Sequence, residues 1–263
     1  MPNPIPITAI VVSCDEAELL ERCLPALSFC DELIVVDMEC TDGTVEVARR
    51  LGAKVVPHVR VPIIEAAQQW MSTIAANDWI LSIDPDEVVD PAFAAEIVQL
   101  LPALSETVAV VDMPMQFYFA QHALKGTYWG GPNWKLGSLF HRDRVELGAV
   151  VHRKAAPREG CSRLRLPWSE TKVLHHYWMQ DYQQFMEKHR RYIAAEGARH
   201  QSFGRHFSWL RALWVTVHSF AWSLLKKQGW RDGKVGLGLS AFYAWYVWSG
   251  WMALHDLEKA KSQ

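Results

Sequence analysis

Residues 79–90 of the chain read Trp-Ile-Leu-Ser-Ile-Asp-Pro-Asp-Glu-Val-Val-Asp. The first five residues are mostly large and apolar, which predicts a buried strand, and an acidic turn follows them directly. Asp84 and Asp86 lie one residue apart at the end of this predicted strand. Carboxylates in this spacing can share a hard divalent cation, which keeps open positions for phosphate oxygens. A solvated turn before a helix is the alternative interpretation.

Strand and helix patterns alternate on both sides of the acidic turn. Between most of the predicted strands, apolar residues recur at helical spacing, and the strand runs lie at 7–12, 33–36, 54–56 and 108–111. This order predicts an α/β fold with a mainly parallel central sheet. Ligands of such sheets bind beyond the carboxyl ends of the strands. Ser13 and Asp37 also fall at predicted strand ends, so we expect an acidic crevice at this edge of the sheet.

The charge of the chain is divided unevenly along its length. Residues 1–104 have 17 Asp and Glu against 5 Lys and Arg, a net of −12, and residues 105–263 have 12 against 22, a net of +10. The acidic part would repel a diphosphate unless a metal ion reversed the local charge. Half of the 263 residues are hydrophobic, which excludes a disordered chain.

Cysteine use and the first residues indicate the compartment. The five cysteines include no pair in Cys-x-x-Cys spacing, so we expect neither a zinc site nor a disulfide framework. A reducing cytoplasm is the simplest interpretation. The first residues, Met-Pro-Asn-Pro-Ile-Pro, contain no basic region and no long apolar run, so we expect no secretory signal.

Four motifs follow one another in the first part of the chain: Val11-Val-Ser-Cys-Asp-Glu16, Ile34-Val-Val-Asp37, Cys40-Thr-Asp-Gly-Thr-Val-Glu-Val-Ala48 and Ile83-Asp-Pro-Asp-Glu87. In this order they resemble the motifs of the family 2 glycosyltransferases, over residues 7 to about 104. The resemblance implies the GT-A fold, a Rossmann-like fold that binds nucleotide-sugars. It also implies an inverting, metal-dependent transfer of a sugar, most often from a UDP-sugar.

The resemblance further implies which residues form the donor site. Asp84 and Asp86 would bind Mg²⁺ or Mn²⁺ together with the diphosphate, and His152 is a further candidate metal ligand. Thr41-Asp-Gly-Thr44 can also be an ordinary turn and helix cap, so the assignment of Asp42 has an alternative. By the resemblance, the nucleotide-sugar would be held by Val12, Ser13, Asp15, Asp37, Asp42, Asp84 and Asp86.

The middle of the chain is similar to a narrower subgroup, the bacterial transferases that extend lipopolysaccharide cores. The similarity rests on residues 130–140, 150–152 and 175–178, with Lys188 and Tyr192 further on. It implies a glycan or glycolipid acceptor from the cell envelope. The residues expected to contact the acceptor or the diphosphate are Arg153, His176 and Lys188.

The proton-accepting base is the open question of this comparison. A one-step inverting transfer needs a carboxylate that takes the proton of the acceptor hydroxyl. Arg153 stands where the subgroup usually has Glu, and the remaining candidates are Glu87, Glu146 and Asp112, which the sequence does not rank. Because the usual Glu is missing, a degenerate transferase that acts as a membrane-bound binding or scaffold protein is the alternative function.

The predicted organisation has two parts. We expect a GT-A transferase domain at 1–178, followed by a helical segment at 179–263. Within the domain, residues 1–112 would form the nucleotide-sugar half and residues 113–178 the acceptor half. We expect no nucleic-acid partner.

The helical segment is aromatic and contains a long uncharged run. Seven of the 13 Trp residues lie in 200–263, and 235–254 contains no charged residue. Twenty residues are long enough to span a bilayer, but Gly, Ser, Tyr and Trp dilute the run, and aromatic residues favour the interface. We therefore expect a monotopic helical hairpin on the cytoplasmic face of the inner membrane, ahead of a transmembrane span. Core helices or a homodimer contact are the alternatives.

Overall fold

The chain forms two compact units in this computed structural model. One unit comprises Met1–Gln116 and Asn133–His176, and the other comprises Phe117–Pro132 and Tyr177–Gln263. The domain boundary expected at 178 stays a prediction. The acceptor half, expected as one piece, is divided between the two units.

The structure describes residues 4–60, 65–147 and 155–261, apart from the side chains of residues 65–69, 188, 191 and 194. The helices are α1 (Ala17–Cys23), α2 (Thr44–Arg50), α3 (Glu65–Ile74), α4 (Pro91–Leu100), α5 (Tyr182–Ser202), α6 (Trp209–Ala221) and α7 (Gly233–Lys261). The strands are β1 (Ile5–Ser13), β2 (Cys30–Asp37), β3 (Lys54–Pro57), β4 (Trp79–Ile83), β5 (Glu87–Val89), β6 (Val108–Phe119), β7 (His122–Ala123), β8 (Asn133–His141), β9 (Val145–Glu146), β10 (Ala156–Pro157), β11 (Ser162–Arg165) and β12 (Leu174–Met179).

The main sheet is mixed, which corrects the prediction of a mainly parallel sheet. Its strand order is β3-β2-β1-β4-β8-β6-β12-β5, with β7 and β11 paired to β6. The first four strands are parallel, whereas β8 runs antiparallel to both β4 and β6. Parallel neighbours need a crossover, which is usually a helix, and the described residues 120–132 between β6 and β8 contain no helix.

The register of the parallel strands aligns their carboxyl ends. Ser13 at the end of β1 pairs with Asp37 at the end of β2, and Val11 pairs with Ile83 at the end of β4. The chain therefore leaves these three strands at the same edge of the sheet. Within β1 the residues are buried almost without interruption, because both faces of a parallel sheet are covered.

The second unit has a helical core. α7 packs against α5 and α6. A Cβ on Gly197 of α5 would lie 2.7 Å from the carbonyl oxygen of Ala253, so the glycine lets α5 and α7 approach closely. The buried residues of α7 are Gly236, Leu239, Ser240, Phe242, Gly250, Trp251 and Leu254. Much of the uncharged run 235–254 therefore lies in the core of the second unit. This favours the alternative of core helices for this run.

Among the helices of the described residues, none combines the length and the apolar character that crossing a bilayer requires.

Candidate active site

The loops after β1 and β2 are tied together at the carboxyl edge. The Cys40 N–H donates to Oδ1 of Asp37 over 2.8 Å, and Sγ of Cys40 lies 3.3 Å from the carbonyl oxygen of Ser13. Oδ1 of Asp15 accepts from the N–H of Thr41 over 2.6 Å, and this hydrogen bond lowers the pKa of Asp15. Asp15, Ser13 and Asp37, which were expected in the donor site, thus lie together in the same loops.

Asp42 accepts hydrogen bonds from the first residues of α1 and α2. Its Oδ1 accepts from the N–H of Thr44 over 2.9 Å, and its Oδ2 accepts from the N–H of Ala17 over 3.2 Å. The hydrogen bonds from Thr44 lower the pKa of Asp42. Ligand atoms of Asp15, Cys40 and Asp42 lie within 4.8 Å of one another, but both carboxylates already accept backbone N–H groups. We therefore interpret this group as a loop anchor.

Arg60 is a basic residue at this edge that sequence reasoning missed. Nη2 of Arg60 lies 3.4 Å from Oδ2 of Asp15 and 2.6 Å from Sγ of Cys14, and its Nε donates to the carbonyl oxygen of Met38. A guanidinium group can bind a diphosphate through two parallel hydrogen bonds. The available signal was its position three residues after β3, in a part of the chain with few cations.

A lysine whose side chain is only 15% exposed pairs with the acidic turn after β4. Nζ of Lys135, on β8, lies 3.0 Å from Oδ2 of Asp84 and also contacts Oε2 of Glu87. Glu87 Oε2 additionally accepts from the Asp84 N–H over 2.8 Å. The charges of Asp84 and Glu87 raise the pKa of Lys135 against the opposing effect of its burial. Lys135 therefore remains charged and neutralises part of the turn.

Glu87 is 1% exposed and faces the interior. Burial raises the pKa of Glu87 to about 7, although the Lys135 charge opposes the shift. Its other oxygen, Oε1, is buried and has no hydrogen-bond partner among the described residues. A carboxylate in this position holds the turn and Lys135 in place.

His176 joins the acidic turn from β12. It pairs with Glu87 across the antiparallel strands β12 and β5, and its Nε2 lies 3.1 Å from Oδ2 of Asp86. Burial alone would lower the pKa of His176, but the hydrogen bond and charge of Asp86 raise it overall. The preceding His175 turns to Asp90, with Nε2 3.3 Å from Oδ2, while Asp90 caps α4 through the Ala92 N–H. Of the two adjacent histidines, His176 therefore belongs to the acidic turn.

The residues of this edge fit a divalent cation by their chemistry. Asp84, Asp86 and His176 offer hard oxygen ligands and one imidazole nitrogen. Burial raises the pKa of Glu16 on the neighbouring loop, and the charges of Asp86 and Asp84 raise it further. Negative charge thus accumulates where a cation would relieve it. In this conformation the carboxylates are engaged separately, Asp84 with Lys135 and Asp86 with His176.

The remaining candidate residues lie away from the acidic turn or outside the described residues. Asp112 is buried in β6, where it accepts from the Gly137 N–H over 2.9 Å and pairs with Arg163. Glu146 is exposed on β9 and pairs with Ala156 in a separate two-stranded sheet. His152 and Arg153 lie outside the described residues, as does the side chain of Lys188. The choice of base among Glu87, Asp112 and Glu146 stays a prediction.

In an α/β fold of this kind, ligands bind at the carboxyl edge of the parallel strands, which is where the Asp-x-Asp turn lies. The family model described as glycosyl transferase family 2 matches residues 8–152, which is more than half of the chain. The chain therefore belongs to glycosyl transferase family 2 and has a GT-A-like fold.

Curated relatives match part of the chain. An uncharacterized glycosyltransferase of Rickettsia bellii is 40% identical over 92 residues, which is 35% of this chain and 31% of that protein. A TPR repeat-containing protein of Synechococcus elongatus is 32% identical over 134 residues, 51% of this chain and 30% of that protein. The matches thus span about a third of the length of these curated relatives.

Solved structures show a weaker likeness. Glucosyl-3-phosphoglycerate synthase from Mycobacterium tuberculosis, solved with Mn²⁺, UDP and glucosyl-3-phosphoglycerate, is 24% identical with a TM-score of 0.34. The match covers 43% of each chain. At this TM-score, the ligands of that protein are no argument about this one.

Proposed function

We propose that this protein is an inverting, metal-dependent glycosyltransferase that moves a sugar from a UDP-sugar to a cell-envelope glycan such as a lipopolysaccharide core. The observation that supports the proposal is that Asp84 and Asp86 follow β4, which ends at the same edge as β1 and β2, and that His176 lies 3.1 Å from Asp86. Four ordered motifs and the family match agree with this placement.

The donor would lie across the carboxyl edge. Val12, Ser13 and Asp37 would hold the nucleoside, because they end the two central parallel strands. Arg60 would bind a phosphate oxygen once its contact with Asp15 is exchanged. The metal proposed is Mg²⁺ or Mn²⁺ on Asp84 and Asp86, with His176 beside it.

The bound cation would neutralise the diphosphate leaving group. Asp84 and Asp86 would hold the diphosphate end of the donor, while Lys135 and Glu87 fix the turn that carries them. The acceptor hydroxyl oxygen forms a bond to the anomeric carbon, and the bond from that carbon to the diphosphate oxygen breaks with inversion. The hydroxyl proton passes to a carboxylate base.

We also propose that the protein docks on the inner face of the plasma membrane through α6. The exposed apolar face of α6 consists of Trp209, Leu210, Leu213, Trp214 and Val217. Residues 203–231 contain five Lys and Arg residues and no Asp or Glu. An apolar helix face flanked by cations matches an anionic lipid surface.

Calorimetric titration of UDP, GDP and dTDP, each with and without Mn²⁺, tests the donor site. We expect UDP to bind only with Mn²⁺, and Asp86→Asn to abolish that binding because a metal ligand is lost. Asp143→Asn, which changes an exposed acid in the same unit, is the matched control and should bind as wild type does. Equal binding to wild type and Asp86→Asn would refute the site. Binding of UDP without hydrolysis or transfer of UDP-sugars would favour a degenerate transferase.

A further inference from the structure

The second unit contains a cavity of about 500 Å³ that is unrelated to the acidic turn. It is formed by α5, α6 and α7 together with Tyr128 and Trp129. A volume of this size suits a small ligand such as one or two sugar units. The side chains that line the cavity indicate which chemical class of ligand it would bind.

The floor of the cavity is aromatic. Tyr128 stacks on Tyr243 with ring centroids 4.4 Å apart, and Trp129 lies edge-on to Tyr243 at 5.7 Å. Trp251 is only 2% exposed and lies against the ring of His200 at 4.9 Å, so it supports the floor while the tyrosine rings offer the exposed faces. Aromatic faces offer flat apolar surface with polar edges, which suits the C–H faces and hydroxyl groups of a sugar ring.

The mouth of the cavity is cationic. Arg199, Arg205 and Arg211 line it and are exposed, and the lining contains one carboxylate, Glu196. That carboxylate is already engaged, since its Oε1 accepts from Arg199 and from the hydroxyl of Tyr246, each over 3.0 Å. Positive charge therefore exceeds negative charge at the mouth.

The arginines are held in defined places. The guanidinium carbon of Arg211 lies 5.6 Å from the centroid of the Trp251 ring. Nη1 of Arg205 donates to Nδ1 of His200 over 2.9 Å. Two guanidinium groups are thus fixed beside the aromatic floor, and Arg is well suited to bind carboxylate and phosphate groups.

We propose that this cavity binds a saccharide that carries a phosphate or carboxylate group. The sugar ring would lie on the aromatic floor, and the anion would be bound by Arg205 and Arg211. This binding site lies in a different unit from the acidic turn and does not depend on the proposed donor site.

Titration of the full chain with glucose 6-phosphate, followed by tryptophan fluorescence and calorimetry, tests the proposal. We expect glucose 6-phosphate to bind about tenfold or more tightly than glucose or inorganic phosphate alone, because only it uses both floor and mouth. Glucuronate should also bind more tightly than glucose. Equal affinity for glucose and glucose 6-phosphate, or for phosphate and glucose 6-phosphate, would overturn the proposal.

Substitutions of the lining arginines test whether the saccharide binds in the cavity. The double change Arg205→Gln and Arg211→Gln should weaken glucose 6-phosphate binding about tenfold or more. Arg190→Gln, at an exposed arginine of α5 outside the cavity lining, is the matched control and should leave binding unchanged. Circular dichroism checks that the variants fold. Equal binding by the double variant and wild type would place the sugar elsewhere.

Failure of this proposal and failure of the donor site are separable. Asp86→Asn should lose UDP binding and keep glucose 6-phosphate binding, because the two sites lie in different units. If glucose 6-phosphate binds normally but no nucleotide does, the donor assignment fails and the cavity assignment stands. The reverse result refutes the cavity assignment alone.

Discussion

Nζ of Lys135 lies 3.0 Å from Oδ2 of Asp84 and also contacts the buried carboxylate of Glu87. The ammonium group of Lys135, on β8, therefore pairs with two carboxylates of the acidic turn that is proposed to bind the metal. A buried carboxylate without such a partner is costly. This lysine explains how an acidic turn can be stable at the edge of an already acidic sheet.

Replacing Lys135 tests how much it contributes to the free energy of unfolding. Lys135→Met should reduce the free energy of unfolding by about 3 kcal/mol, because Glu87 loses its buried counter-charge. Urea denaturation measures the change. The matched control is Lys172→Met, since Lys172 forms a surface pair with Glu96 at 3.2 Å and its loss should cost less than about 1 kcal/mol. Equal losses in the two variants would contradict the role of Lys135.

Asp232 should be a main anchor of the second unit. Its buried carboxylate accepts from the N–H groups of Lys125 and Gly126, each over 2.8 Å. Asp232→Ala should cost about 3 kcal/mol of stability, because two N–H groups, one of them buried, lose a charged acceptor. Thermal and urea unfolding measure the loss. Asp256→Ala, at an exposed acid, should stay within about 0.5 kcal/mol of wild type, and a similarly small loss for Asp232→Ala would refute the anchor.

His200 should make stability depend on pH. Burial and the neighbouring charge of Arg205 lower the pKa of His200 below its ordinary value, while Glu196 opposes them. The unfolded chain therefore binds the proton more readily, so this contribution is present above about pH 6.5 and is lost as the pH falls through the lowered pKa.

Unfolding free energies measured by urea from about pH 7 to about pH 5 check this direction. The wild type should lose more stability over this range than His200→Gln does. His218→Gln removes an exposed histidine of α6 and should follow the wild-type curve. A wild-type curve parallel to that of His200→Gln would show that His200 does not contribute.

The apolar face of α6 should control membrane binding. Leu213→Glu with Trp214→Glu places two negative charges on this exposed face. We expect binding to phosphatidylcholine vesicles containing phosphatidylglycerol to fall about tenfold or more, because apolar contact is lost and the anionic surface repels the new charges. Co-sedimentation measures it, with Val59→Glu, at an exposed valine of the other unit, as control. Unchanged sedimentation of the double variant would exclude α6 as the contact.

Local sequence patterns were sufficient for the parallel part of the fold. Apolar runs with helical segments between them predicted β1 to β4, and the same runs end in Ser13, Asp37 and Asp84. Since parallel strands align their carboxyl ends, the meeting of these residues at one edge followed from the order of elements. The mixed character of the sheet did not follow, because the antiparallel return of β8 depends on pairing with strands distant in sequence.

The partners of the acidic turn were decided by tertiary structure alone. Lys135 lies 48 residues after Glu87, and His176 lies 90 residues after Asp86, so no local periodicity relates them. Likewise, Asp232 reaches Gly126 across 106 residues. The sequence by itself determined the carboxyl edge of the parallel strands and its acids. Strand register and helix packing decided which cation or imidazole faces each acid, because burial and charge pairing depend on the whole folded unit.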